Sequence, residues 1–227
     1  MIPKIIHYCW FGHNEKPAKF KEYLESWKKH LPEYTLKEWN EENFDVNICN
    51  YSREAYYTRN MAFVSDVCRV YALLTEGGIY LDTDVKILKS LDEKLNLKNG
   101  FLGMETETLI GTGLMAAPKG AMWVSALFNY YKRRRFINIW GHPMRTPNTK
   151  ILTYKIMPKI PKYKRPKVFP LGFIGGDFIN HTFEITPNTF AVHYYQGSWK
   201  YKKTLKVKLK NLAQGFCARH FKTDFSK

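Results

Sequence analysis

No Cys-x-x-Cys pair occurs among the four cysteines, Cys9, Cys49, Cys68 and Cys217, which are scattered along 227 residues. That spacing speaks against a disulfide framework or a zinc site and suits reduced core thiols in a cytoplasmic protein. Long apolar runs are missing as well. Segments such as Ile79–Leu81 and Gly113–Ala117 fall far short of the ~20 residues a bilayer span needs. The opening Met1–His7 reads as a short strand and lacks a signal peptide's apolar stretch of about 7–15 residues. There is no internal repeat, no low-complexity linker and no RRM, KH or zinc signature.

Acidic residues are scarce: 20 Asp and Glu stand against 36 Lys and Arg, a formal net charge of +16. Such an imbalance favours a polyanionic partner, whether nucleic acid, an anionic membrane face or phosphorylated small molecules. The excess gathers late in the chain, in Lys132-Arg133-Arg134-Arg135, between Lys159 and Lys167, and between Lys200 and Lys210. A basic underside resting on anionic lipid is the expectation, each nearby cation contributing ~1 kcal/mol. A solvated lysine-rich face is the plain alternative. Apolar residues make up 44% and aromatics 16%, enough for a substantial core in one large domain.

Hydrophobic periodicity predicts an α/β chain. Pro3–Trp10 is a near-continuous apolar run of strand length, Pro17–His30 carries Phe20, Leu24 and Trp27 at helical spacing, and Tyr34–Trp39 alternates as a second strand. That β-α-β opening predicts a parallel sheet with helices packed on it. Asn60–Glu76 is the clearest helix, with Phe63, Val67, Val70 and Leu74 on one stripe and Gly77-Gly78 as its stop. A short buried strand, Ile79–Leu81, runs directly into Asp82-Thr83-Asp84. Val85–Leu88, Phe101–Met104, Thr108–Ala116, Val168–Phe169 and Phe190–Tyr194 read as further extended segments, and Met122–Arg135 and Ile151–Met157 as helices.

Two carboxylates at the end of a buried strand carry the chemistry. In extended backbone, side chains two residues apart share a side, so Asp82 and Asp84 can converge where ligands bind in open α/β sheets. Hard anionic oxygens there suit Mg²⁺ or Mn²⁺, which can bridge a diphosphate as a bond to it breaks. A solvated turn is the bland alternative. On the preceding helix Asp66 and Arg69 are three apart and share a face. They read either as a surface ion pair or as a sugar-binding carboxylate beside a guanidinium that holds it or meets phosphate. Trp10 offers a flat face for a base or a core ring, and His193 reads equally as a ligand or a core histidine. Tyr80 is expected to be buried, its hydroxyl aimed at the site. Gly197 before Ser198-Trp199 permits a hinge-like closure.

Ser65-Asp66-Val67-Cys68-Arg69, then Gly77-Gly78-Ile79-Tyr80-Leu81-Asp82-Thr83-Asp84-Val85, resembles the DXD sugar-binding region of family 32 glycosyltransferases. These are related to yeast-type mannosyltransferases and to the glucosylating domains of clostridial toxins. The opening Ile2–Gly12 and the late His193-Tyr194-Tyr195-Gln196-Gly197-Ser198-Trp199 resemble the same family's first strand and C-terminal segment. The resemblance is strong over roughly the first 120 residues and returns near 190–199. It implies a single GT-A, Rossmann-like domain: residues 1–120 binding the nucleotide-sugar, residues 121–227 forming the acceptor side and a closing segment. It further implies retaining sugar transfer from a nucleotide diphosphate donor, a UDP-sugar rather than a GDP-sugar, with Mn²⁺ or Mg²⁺. Carried over residue by residue, Trp10 lies against the base and Asp66 and Arg69 hold the donor sugar. Asp82 and Asp84 share the metal, His193 supplies a third ligand, and Ser198 and Trp199 close over the diphosphate.

Many members carry a Gly-Pro segment where this chain has Arg145-Thr146-Pro147-Asn148, so acceptor contacts there are open. Gly175-Gly176-Asp177 is a further candidate for donor or acceptor contacts. The expected acceptor is a glycan or lipid-linked sugar of surface polysaccharide or capsule synthesis, met at the cytoplasmic face of the membrane through peripheral contact with anionic lipid. Two rivals remain. A haloacid-dehalogenase-type phosphatase also uses Asp-x-Asp after a strand, although Lys86 stands where that chemistry has Thr or Val. A basic nucleic-acid-binding protein would account for the charge.

Overall fold

The computed structural model describes residues 1–176, 185–196, 213–217 and 219. Strand β1 (Ile5–Cys9), helix α1 (Ala18–His30) and strand β2 (Thr35–Trp39) form the opening crossover, with β1 and β2 parallel and Ile5 paired to Thr35. Helices α2 (Asn50–Tyr57) and α3 (Met61–Thr75) follow, then strands β3 (Gly78–Leu81) and β4 (Val85–Ile87). Strands β5 (Phe101–Met104) and β6 (Ile110–Ala117) precede helix α4 (Met122–Lys132). A short helix α5 (Asn148–Ile151) runs into a π-helical turn at Leu152–Ile156, and strands β7 (Lys167–Phe169), β8 (Ile174–Gly175) and β9 (Ala191–His193) follow.

The main sheet has the order β2-β1-β3-β6-β5-β7. It is mixed rather than wholly parallel: β3 and β5 both run antiparallel to β6, while the other pairings are parallel. The β-α-β opening predicts the parallel part correctly. The reversed strand β6 follows β5 through residues 105–109, too few for a parallel crossover.

Strand alternation explains how the core divides. On β3, Ile79 and Leu81 join one cluster with Ile6, Phe20, Trp27 and Val85, on the α1 side. Tyr80 faces the other cluster, with Val67, Leu73, Met115 and Leu127, on the side of α3 and α4. Both faces are covered, so β3 and β6 are buried along their whole length.

Helix α2 has no counterpart among the sequence expectations. Its buried face is Tyr51, Ser52, Glu54 and Ala55, so half of the inward positions are polar and no apolar stripe betrays it. Glu54 is satisfied there by the backbone N–H groups of Phe136 and Ile137, both at 2.9 Å, and by Arg135. The helix expected over Ile151–Met157 is instead α5 followed by the π turn and a single 3₁₀ turn at Met157–Lys159.

Helix α3 ends as its Gly-Gly pair predicts. Gly77 adopts φ +73°, its N–H bonds to the Leu73 carbonyl at 3.1 Å, and a Cβ there would lie 2.6 Å from the Lys119 nitrogen. The chain therefore turns at once into β3, which carries the tip of that strand past the middle of α3.

A second small sheet, β4-β9-β8, stands beside the first. Strand β4 is held by α1: Trp27 donates its indole N–H to the Val85 carbonyl at 2.8 Å, and the Ile87 N–H donates to Ser26 Oγ at 3.0 Å. Antiparallel pairing sets Val85 opposite His193. That register brings a histidine 109 positions away to the residue following Asp84.

Candidate active site

Alternation continues past β3: Asp82 follows Tyr80 by two and turns to the same side, toward α3. Here the tyrosine hydroxyl donates to Asp82 Oδ1 at 2.9 Å, and Arg69 meets the same oxygen at 3.1 Å. Arg69 also pairs with Asp66 at 3.1 Å and donates to the Thr112 carbonyl at 2.8 Å. Asp66 and Arg69 are 8% and 6% exposed, so the surface ion pair weighed from the sequence is not what the fold builds. The pair is buried and bound into a chain of contacts running from α3 to the end of β3.

The Asp-Thr-Asp segment is a tight turn, not extended backbone, closed by the Val85 N–H donating to the Asp82 carbonyl at 3.0 Å. Its carboxylates nevertheless converge, because His193 draws both of them. His193 Nε2 lies 3.0 Å from Asp84 Oδ1 and 3.8 Å from Asp82 Oδ2. One donor atom from each of Asp82, Asp84 and His193 lies within 4.8 Å of the others. Two hard carboxylate oxygens and one imidazole nitrogen are a donor set that fits Mn²⁺ or Mg²⁺.

The rest of the cluster is tightly packed. Asp84 Oδ2 accepts the Gln196 N–H at 2.9 Å, its carbonyl accepts the Tyr194 N–H at 3.0 Å, and the Gln196 amide donates to the Tyr23 hydroxyl at 2.8 Å. Gly113 on β6 lies behind: a Cβ there would meet His193 Nδ1 at 2.7 Å and Asp82 Oδ2 at 3.2 Å. Only glycine leaves room for the histidine.

Charges are tuned by this packing. Burial lowers the His193 pKa, but the Asp84 hydrogen bond and the charges of Asp84, Asp82 and Glu105 outweigh it and raise it overall. Burial opposes ionisation of Asp84, yet the His193 bond and charge win and hold its carboxyl below the usual range. Burial lifts Asp66 to about 6, with Asp82 adding to the effect and Arg69 and Asn148 opposing it. Glu105 is raised as well, chiefly by burial, and feels His193, Asp82 and Arg69.

The structure thus brings together Asp66, Arg69, Tyr80, Asp82, Asp84 and His193. Trp10 is half-buried at the end of β1; Phe20 stacks on it at 6.4 Å between centroids and its indole donates to the Asn14 carbonyl at 2.7 Å. Ser198, Trp199 and Asp177 lie outside the described residues. Sequence reasoning missed Glu105, Thr112, Gly113, Gln196 and the role of Asn148, which donates to Asp66 at 3.3 Å and accepts from the Tyr131 hydroxyl at 3.0 Å. Glycines flanking Thr112 inside an apolar strand were a readable sign of close backbone approach. Glu105 sits in a polar Glu-Thr-Glu loop that carries no such sign.

A mixed α/β sheet covered on both faces, with a carboxylate–histidine cluster at the end of one strand, is the arrangement of a GT-A-type fold. Residues 17–102 match the family described as glycosyltransferase sugar-binding region containing DXD motif, a span that includes Asp66, Arg69, Asp82 and Asp84. Over that span the chain is similar to DXD-containing glycosyltransferases. Among solved structures, a glycosyltransferase involved in the glycosylation of the major capsid of PBCV-1 is similar over 93% of this chain and 99% of that one. The TM-score is 0.52 and the identity 16%, a likeness of fold. PaToxG glycosyltransferase gives a TM-score of 0.44 at 22% identity, over 59% of this chain and 62% of that one. Galactosyltransferase LgtC, in complex with donor and acceptor sugar analogs, gives 0.46 at 13% identity over 98% of each chain. No curated protein matches the chain in sequence.

Proposed function

We propose that the chain is a metal-dependent, retaining hexosyltransferase that moves a sugar from a nucleoside diphosphate donor, a UDP-sugar, onto a glycan or lipid-linked acceptor. The observation that carries this reading is the convergence of Asp82, Asp84 and His193 beside the buried Asp66–Arg69 pair. These three residues would hold Mn²⁺ or Mg²⁺, which when bound neutralises charge on the departing diphosphate. Arg69 fixes Asp82 and Asp66 by ion pairs, and Asn148 supports Asp66 from the opposite side. Asp66 is then set to accept donor-sugar hydroxyls, while Tyr80 steadies Asp82 through its hydroxyl.

Trp10, half-buried and stacked on Phe20, would lie against the nucleotide base. Ser198 and Trp199 would close over the diphosphate from the C-terminal side. In the chemical step the bond between the anomeric carbon and the diphosphate oxygen breaks, the electron pair leaving with the diphosphate. The acceptor oxygen attacks on the same face and its proton passes to the departing phosphate, so configuration is retained without a covalent enzyme intermediate. Residues 1–120 form the donor half of one domain and residues 121–227 the acceptor half. The setting is surface-polysaccharide assembly on the cytoplasmic side of a membrane, held by the basic half of the chain. Among the described residues no helix is long and apolar enough to cross a membrane.

The test is a screen of sugar nucleotides with Mn²⁺, reading released nucleoside diphosphate and the anomeric configuration of the product. Release of UDP from one UDP-sugar, dependent on Mn²⁺, is expected. Release that chelator leaves untouched, or an inverted product, would overturn the metal or the stereochemical part of the reading.

A further inference from the structure

Away from the carboxylate cluster, a cavity of about 510 Å³ lies between α4 and the segment around the π turn. Ala126, Asn129, Tyr130, Arg133 and Arg134 form one wall, and Lys155, Ile156 and Lys159 the other. Four cations therefore surround one hollow, and none of them is ion-paired with a carboxylate among the described residues. Arg134 rests 4.9 Å from the centre of the Tyr130 ring, which positions its guanidinium without neutralising it. Like charges held this close repel unless an anion joins them. The π turn at Leu152–Ile156 carries Lys155 and Ile156 into the wall, and such turns are frequent at functional sites.

Chain from the same wall leads into an apolar projection. Six residues beyond Arg134, hence within ~20 Å even fully extended, Trp140 is 72% exposed and its neighbour Ile139 60%. Their loop is built rather than slack. Asn138 Oδ1 accepts the N–H groups of Trp140 and His142, both at 2.9 Å, and Ile137 bridges to Pro143. Met144, Tyr154 and Tyr163 are exposed as well, so five of the ten large exposed apolar side chains among the described residues fall between 139 and 163. A tryptophan-tipped loop within ~20 Å of cations that have no carboxylate partner among the described residues has the chemistry of a bilayer interface: rings at headgroup depth, cations on the lipid phosphates.

We propose that the cavity between α4 and the π turn binds the phosphate of an anionic phospholipid headgroup, with the Ile139–Trp140 loop inserted beside it. This deepens the membrane contact proposed above by naming its surface and ligand chemistry, and it does not depend on the transfer reaction.

The experiment is co-sedimentation of the full chain with phosphatidylglycerol-containing vesicles, with pure phosphatidylcholine vesicles as reference, at two salt concentrations. Binding is expected only to the anionic vesicles. Lys155→Glu/Lys159→Glu should weaken it by about 30-fold or more, and Trp140→Ser roughly tenfold. Lys19→Glu/Lys21→Glu on α1 changes the net charge equally and should weaken it no more than about threefold. All four side chains in the two lysine pairs are exposed, so folding is preserved, and Lys155→Ala/Lys159→Ala gives a milder second variant with the same direction of effect. Equal losses in the two charge-reversed proteins would overturn the cavity while leaving membrane contact standing. Failure of the wild type to bind any vesicle would overturn both. Calorimetric uptake of pyrophosphate, lost in the Lys155/Lys159 variant and unaccompanied by vesicle binding, would assign the cavity to a soluble phosphorylated ligand and overturn the lipid.

Discussion

At the tip of β3, Asp66, Arg69, Asp82, Asp84 and His193 are linked to one another, Asp66, Arg69 and His193 buried and the two other aspartates partly so. Around α4, Arg133, Arg134, Lys155 and Lys159 line a hollow with no described counter-charge. In the first region the fold has already supplied the partners, so removing one leaves others buried and unsatisfied. In the second, no described carboxylate supplies a partner, and the proposed one is a phosphate from outside. Loss of the shared cation Arg69 should therefore damage the fold at the strand end, loss of a single carboxylate charge chiefly the chemistry, and loss of a cation at the cavity only association.

The sharpest break in that comparison is Asp84→Asn. It leaves the hydrogen bond from Gln196 possible while removing a charge proposed to hold the metal, so transfer should fall by about 10³-fold or more. The thermal midpoint should stay within a few degrees; retained activity would contradict the ligand assignment. Next in size is Arg69→Met, which leaves Asp66 and Asp82 without their cation. A loss of about 3–5 kcal/mol in unfolding free energy is expected, measured by urea titration. A loss below about 1 kcal/mol would mean that the pair is not buried in solution.

Gly113→Ala tests packing alone. The new methyl would overlap His193, so a cost of about 1–3 kcal/mol is expected together with weaker Mn²⁺ binding by calorimetry. Wild-type values for both would place the histidine elsewhere.

The smallest and most diagnostic effect is on Asp66→Asn. The Asp66 carboxyl is lifted from 3.8 to about 6, so the folded state holds more protons than the unfolded one between those values. Stability therefore falls as pH rises through that window, and the deficit persists at neutral pH. Asp66→Asn should be at least as stable as the wild type at pH 8 while losing transfer, and wild-type donor binding should weaken as pH drops below about 6. A lower denaturation midpoint for the variant at pH 8 would show that the ionised carboxylate stabilises the fold.

How much of this is readable from the chain depends on distance along it. Helix α3 announces itself by an apolar stripe and a glycine stop, and Asp82 and Asp84 by following a buried strand directly; these are local patterns. Pairing of Arg69 with Asp82 depends on a tight glycine turn bringing strand and helix together, which sequence anticipates in outline only. Contacts such as Asn148 to Asp66, 82 positions apart, have no local sign. They arise from how α4 packs on α3 and α5 on β6. His193 lies between these extremes: its motif is visible, but its place beside Asp84 comes from strand register. Helix α2 hides because its inward face is half polar, and the segment between α4 and β7 because its shape depends on irregular turns rather than on periodicity.

Titration of the wild-type protein and of Asp84→Asn with Mn²⁺, by calorimetry with a UDP-sugar present, probes the strand-end cluster most directly. One ion per chain, tightened by the nucleotide-sugar and lost in the variant, is the result this account predicts. Identical uptake by both proteins, or none by either, would contradict it.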